Sequence, residues 1–136
     1  MNQRTLKTLI AAALVLGLLL SMCSVAFAQE RMIVSTVSSF VRNSNTKGTA
    51  SVSATSSNPS TPYVISKMTL QEAPLGSTSF TNSNTDSKTK KVYTNVILHT
   101  TTFPITTTKD YRVKIEVTDN TNGIDNTVTF YEYLQN

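Results

Sequence analysis

Tyr111-Arg112-Val113-Lys114-Ile115-Glu116-Val117-Thr118 is the stretch that decides the fold class. Apolar and polar residues alternate without a break, which puts Tyr111, Val113, Ile115 and Val117 on one face of a strand and the charged residues on the other. A helix would scatter the same residues around its circumference. Asp119-Asn120-Thr121-Asn122-Gly123 follows, and Asn122-Gly123 is a hairpin turn signal because both residues tolerate positive φ. Asn126 to Tyr133 is then the antiparallel partner.

Upstream, the same two-residue period recurs. Gly48 to Ser56 sets Ala50, Val52 and Ala54 against Thr49, Ser51, Ser53 and Thr55, and Tyr63 to Gln71 puts Val64, Ser66, Met68 and Leu70 on one face. Between them, Asn58-Pro59-Ser60-Thr61-Pro62 breaks the chain, since proline brings no ladder donor. Met32 to Val41 reads as a first strand with a kink near Ser38-Ser39, and Ser77 to Thr81 as a short strand around Phe80. Asn82 to Lys91 has no apolar residue and is expected to be an exposed loop. Val92 to Leu98 resumes the alternation, with Val92, Thr94, Val96 and Leu98 sharing a face, and Phe103 and Ile105 flank Pro104. Evenly spaced short strands give an all-β chain, a single antiparallel β-sandwich of about seven strands. Its expected core is Val52, Ala54, Met68, Leu70, Val96, Leu98, Tyr111, Val113, Ile115, Val117, Val128 and Phe130.

The first 28 residues have a different character. Arg4 and Lys7 precede an apolar run from Leu9 to Leu20, and Ala26-Phe27-Ala28 is an Ala-x-Ala cleavage signature. This is the pattern of a helical signal peptide, residues 1–28, with cleavage between Ala28 and Gln29 and a mature domain over residues 29–136. The expected location is outside the cell, without stable membrane insertion after cleavage. The alternatives are retention by an uncleaved signal, or a lipid anchor on Cys23. Leu20-Ser21-Met22-Cys23 matches a lipobox in its first two positions, but Met22 stands where a small residue is normal.

Cleavage would change the chemistry of the chain. Cys23 is the only cysteine, so the mature domain would be disulfide-free, held by its hydrophobic core, and without thiol catalysis or cysteine-based zinc sites. The full chain has 12 basic and 8 acidic residues; removing Arg4 and Lys7 leaves ten against eight, a net charge of +2. Lys88, Lys90 and Lys91 form the one dense basic cluster, a candidate surface-binding site or a guard on a strand edge. No aromatic residue lies between these lysines, so nucleic acid is not an expected partner.

Residues that carry chemistry are sparse. His99 is the only histidine, and a lone strand histidine is expected to be solvated or hydrogen-bonded. Glu116 faces outward beside Lys114 as a surface pair. Asp119 to Asp125 is rich in oxygen ligands, but its glycine falls at the fifth position of the loop, whereas an EF-hand needs it at the sixth. Thr100 to Thr102 and Thr106 to Thr108 are read as β-formers ahead of a flat hydroxyl array. An isopeptide crosslink among Lys67, Asn126 and Glu116 is not expected. No catalytic residues, metal ligands or cofactors are assigned, and the chain is not expected to be an enzyme.

The order of motifs resembles one group. Ile65-Ser66-Lys67-Met68-Thr69-Leu70-Gln71, a basic-polar loop, and then Asp110 to Thr118 resemble the small secreted immunoglobulin-like domains of Firmicutes, in which "MTLQ" and "YRVKV" strands recur. The resemblance implies an immunoglobulin-like β-sandwich exported by a Gram-positive bacterium; the group is mostly uncharacterised and implies no activity. In such sandwiches a tyrosine near the start of one strand hydrogen-bonds back to the chain just upstream. Tyr111 holds that position, with Val113 and Val52 where antibody domains place their bridged cysteines. The expected function is a non-catalytic binding or interaction module for an extracellular protein or cell-wall ligand. The alternatives are a small secreted effector, such as a toxin or hydrolase inhibitor, and, last, an uncharacterised enzyme using scattered serines, His99 and carboxylates.

Overall fold

The computed structural model describes residues 33–136, which form eight strands and no helix. The expected signal peptide, Cys23 and the expected cleavage residues Ala26, Ala28 and Gln29 lie outside the described residues. β1 (Ile33–Ser44), β2 (Lys47–Ser56) and β6 (Val96–Pro104) form a three-stranded antiparallel sheet in the order β1-β2-β6. The second sheet is five-stranded. It has β3 (Val64–Pro74) and β7 (Lys109–Thr121) at its centre, β8 (Ile124–Tyr133) beyond β7, and both β4 (Thr81–Asn82) and β5 (Lys88–Val92) on the far side of β3.

The central strands are the ones whose alternation is cleanest. Val113, Ile115 and Val117 of β7 meet Leu70, Met68 and Ser66 of β3 in a continuous antiparallel register, and all are buried, as is Tyr111, which pairs with Glu72. From the other sheet, Phe40, Ala50, Val52, Ala54, Ile97 and Phe103 face the same core, with Ile105 just beyond β6. The two sheets therefore pack face to face. Full burial of each large aliphatic or aromatic side chain contributes about 1.5–3 kcal/mol, and no crosslink among the described residues adds to it. Phe40 and Phe103 meet edge to face at 6.4 Å, the offset arrangement that aromatic quadrupoles favour. Gly48 sits against this pair because a β-carbon there would stand 2.8 Å from the Phe40 ring.

Several expectations are corrected. There are eight strands, not seven, because the polar stretch after Phe80 is not all loop: Thr81–Asn82 and Lys88–Val92 pair separately with the same edge of β3. The irregularities of β1 lie between Ile33 and Ser35 and between Arg42 and Ser44, and pairing runs unbroken through Ser38-Ser39. β6 presents the opposite face to the one expected. Val96 and Leu98 are 48% and 62% exposed, while Ile97 and His99 point into the core. Val128 is 39% exposed, since β8 lies at the margin of the wider sheet, and Phe130 is partly buried.

The β7–β8 hairpin turns as expected, with Asn122 and Gly123 at φ 54° and 81°. Tyr111 makes its bond back to the chain: its hydroxyl accepts from the Thr106 backbone N–H at 3.1 Å. This ties the turn after β6 to the start of β7.

Candidate functional site

Antiparallel registers bring three turns to one end of the molecule. The β1–β2 turn, the segment after Pro74 and the segment after Pro104 meet there, because Lys47 pairs with Pro104 and Pro74 with Lys109. Between them lies a cleft of about 620 Å³ whose lining includes Arg42, Leu75, Phe80, Lys109, Asp110 and Tyr133. A second depression of about 520 Å³ adjoins it and shares Ser77 and Lys109. Together they form a furrow across the turn end.

The furrow has an apolar wall and a polar rim. Phe80 and Tyr133 pack edge to face at 5.6 Å. The Arg112 guanidinium lies 4.6 Å from the Phe80 ring centre and 4.3 Å from that of Tyr131, with its Nε donating to Gln71 Oε1 at 2.7 Å. Cation–π contact and this hydrogen bond fix the aromatic wall from behind. Leu75 is 62% exposed beside Gly76, which adopts φ 74° and donates its N–H to Asp110 Oδ2 at 2.7 Å. That bond fixes the turn that carries Leu75.

Two cations line the furrow, and they differ. Lys109 is paired with Glu72 at 2.7 Å, and this bond raises its pKa. Arg42 donates from Nε to Asn136 Oδ1 at 2.9 Å and reaches the Thr106 carbonyl at 3.5 Å, but pairs with no carboxylate among the described residues. A guanidinium keeps its charge at any ordinary pH and presents a planar fork of donors. The furrow thus sets the apolar surfaces of Leu75, Phe80 and Tyr133 beside the guanidinium of Arg42.

The residues singled out in the sequence are distributed elsewhere. Lys88, Lys90 and Lys91 are all exposed on β5, but they do not form one patch. Register places Lys88 and Lys90 opposite Met68 and Ser66, on the core-facing side, and Lys91 opposite Ile65, on the outer side. Lys90 donates to the Leu98 carbonyl of β6 at 2.6 Å, whereas Lys91 lies 4.0 Å above the Tyr63 ring. His99 is 6% exposed and its Nδ1 is 3.0 Å from Ser66 Oγ. Burial lowers its pKa, with the Lys90 charge adding to the effect, so it is the neutral imidazole that is buried.

At the opposite end of the molecule, the oxygen-rich Asp119 to Asp125 segment satisfies itself. Tyr63 donates to Asp125 Oδ1 at 2.5 Å, and Asn120 Nδ2 donates to the same oxygen at 2.7 Å, which holds the Asp125 carboxyl below its ordinary range. Asp119 is fully buried; Ser56 donates to one of its oxygens, and the other has no hydrogen-bond partner among the described residues. Lys114 and Glu116 form the expected surface pair at 3.0 Å. Lys67 is exposed, so it is not set up for an internal crosslink. The threonine triplets do not combine: Thr100 and Thr102 lie on the outer face of the three-stranded sheet, opposite Ser51 and Thr49, while Thr106 to Thr108 form a turn.

Arg42, Leu75 and Tyr133 had no part in the sequence-based site. The one local hint was the position of Leu75 between the turn residues Pro74 and Gly76, off any alternating strand face. Comparisons with protein-family models, with curated proteins and with solved structures found no match.

Proposed function

We propose that this protein is a secreted, non-catalytic binding module of immunoglobulin-like design, which takes an extracellular protein or cell-wall ligand in the furrow at its turn end. The observation that carries this reading is the combination of a fixed aromatic wall with a guanidinium, Arg42, that has no carboxylate partner among the described residues. Such a surface selects by complementarity: apolar burial supplies affinity, and the charged fork supplies orientation.

The immunoglobulin-like reading is supported by strand order. β1-β2-β6 opposed to β5-β3-β7-β8 corresponds to strands A-B-E opposed to C′-C-F-G. The Tyr111 bond to Thr106 is in the position of a tyrosine corner, and Val52 and Val113 are buried where antibody domains carry their cysteines. Secretion rests on the Arg4 to Gln29 pattern, and a Gram-positive source on the resemblance of the β3 and β7 motifs.

Capture of cell-wall material and of secreted proteins by immobilised protein, compared between wild type and Arg42→Ala and Tyr133→Ala variants, tests the proposal. A partner retained by wild type and lost from both folded variants is the expected result. Capture that is equal for all three proteins, or that disappears with moderate salt for all three, would contradict it.

A further inference from the structure

The two margins of the five-stranded sheet are treated differently by the sequence. β5 carries three lysines in five residues, the usual device against edge-to-edge pairing. β8, Ile-Asp-Asn-Thr-Val-Thr-Phe-Tyr-Glu-Tyr, has neither lysine nor proline. Its residues are rich in β-formers, and no strand among the described residues pairs with its outer edge over Ile124 to Tyr133. Thr127, Val128, Thr129 and Tyr131 are exposed.

Hydrogen bonding fixes which groups that edge offers. Leu134 donates its N–H inward to the Tyr111 carbonyl, whereas Gln135 turns outward, donating to the Phe40 carbonyl and accepting from Arg42 N–H. Backbone direction alternates along a strand, so Asp125, Thr127, Thr129 and Tyr131 also turn N–H and C=O outward. Gln135 shows the edge already accepting a strand at its far end, where β1 bridges to it in parallel. The stretch before it has the same polarity, and no backbone among the described residues pairs with it; β1 reaches it only through the Ser38 hydroxyl, which donates to Glu132 Oε1.

We propose that this edge takes β8 of a second copy of the chain, antiparallel, with the twofold axis at Val128. That register sets Thr127 opposite the copy's Thr129 as a hydrogen-bonded pair and Val128 opposite Val128. Its charges favour it: Asp125 falls opposite Tyr131 and Glu132 opposite Ile124, so no like charges meet. It also covers Val128, the core-side aliphatic of β8 that the domain leaves 39% exposed. The result is one continuous sheet across two molecules, related by an isologous contact. One strand edge buries less than the roughly 1,600 Å² of a standard stable interface, so dimerisation is concentration-dependent.

The test is sedimentation of the full chain, in whatever N-terminal form the host leaves it, across about a hundredfold range of concentration. Two variants accompany it. Thr129→Pro removes an outward N–H that the β7 ladder does not use, and the pair Thr127→Lys with Thr129→Lys places like charges opposite each other across the axis. Wild type is expected to move from monomer to dimer, with each variant weakening association about tenfold or more while keeping the strand-rich circular dichroism of wild type. In a Cys23→Ser background, Val128→Cys is expected to form an intermolecular disulfide, since a non-hydrogen-bonded pair brings Cα atoms to about 4.5 Å. A wild type that stays monomeric at every concentration, or a dimer that both folded variants leave unchanged, would overturn the proposal.

Discussion

His99 and Tyr111 show how single polar atoms in this core are handled. His99 is buried against Ser66 with its pKa lowered. Around and below the ordinary histidine value of 6.5, the unfolded chain binds more protons than the native one, so stability present above that value is lost as pH falls through the native pKa. Urea midpoints between neutral and mildly acidic pH are expected to fall for wild type. His99→Gln, which keeps a hydrogen-bonding group but cannot be protonated there, is expected to flatten that slope. A wild-type slope unchanged by His99→Gln would exclude His99 as its source. Tyr111→Phe removes one hydroxyl that serves the Thr106 N–H and is expected to cost about 1 kcal/mol in chemical denaturation; Tyr111→Ala, which also empties part of the core, is expected to cost about 3–5 kcal/mol. Gly48→Ala would drive a β-carbon into the buried Phe40 ring, and a loss of about 1–3 kcal/mol is expected. Unchanged stability in Gly48→Ala would mean that the Phe40 ring can move aside.

Among the elements, β2, β3 and β7 were legible in the sequence because each carries an unbroken two-residue period on a strand with one buried face. β6 was not. Val96, Ile97 and Leu98 are all apolar, so periodicity cannot choose between the two faces, and a face shift of one residue exchanges core for solvent. The choice falls on Ile97 and His99 because the imidazole finds Ser66 on the facing sheet, a tertiary contact with no local trace. Stability measurements distinguish the faces. Ile97→Ala is expected to cost about 2–5 kcal/mol, whereas Leu98→Thr, on the exposed face, is expected to stay within about 0.5 kcal/mol of wild type. The reverse ranking would put Leu98 in the core. β5 was equally hidden, since a polar, lysine-rich segment reads as loop although its backbone pairs with β3.

For the whole molecule, the candidate site was illegible for a related reason: Arg42 of β1, Leu75 and Phe80 of the β3–β4 connection, and Tyr133 of β8 come from three separate segments and are brought together only by the register of the sheets. The lysine cluster stood out in the sequence, yet strand alternation divides it between two faces. What the molecule offers is a two-sheet scaffold that holds, at its turn end, an aromatic wall and a guanidinium with no carboxylate partner among the described residues. Ligand binding in the furrow can be followed by recording backbone amide NMR spectra of the labelled protein while titrating solubilised material from the exterior of the cells that make it. Saturable shifts confined to Arg42, Leu75 to Phe80, Thr106 to Asp110 and Tyr133 are expected. Saturable shifts centred on β5 or on the Asp119 to Asp125 turn, with the furrow unperturbed, would contradict binding there.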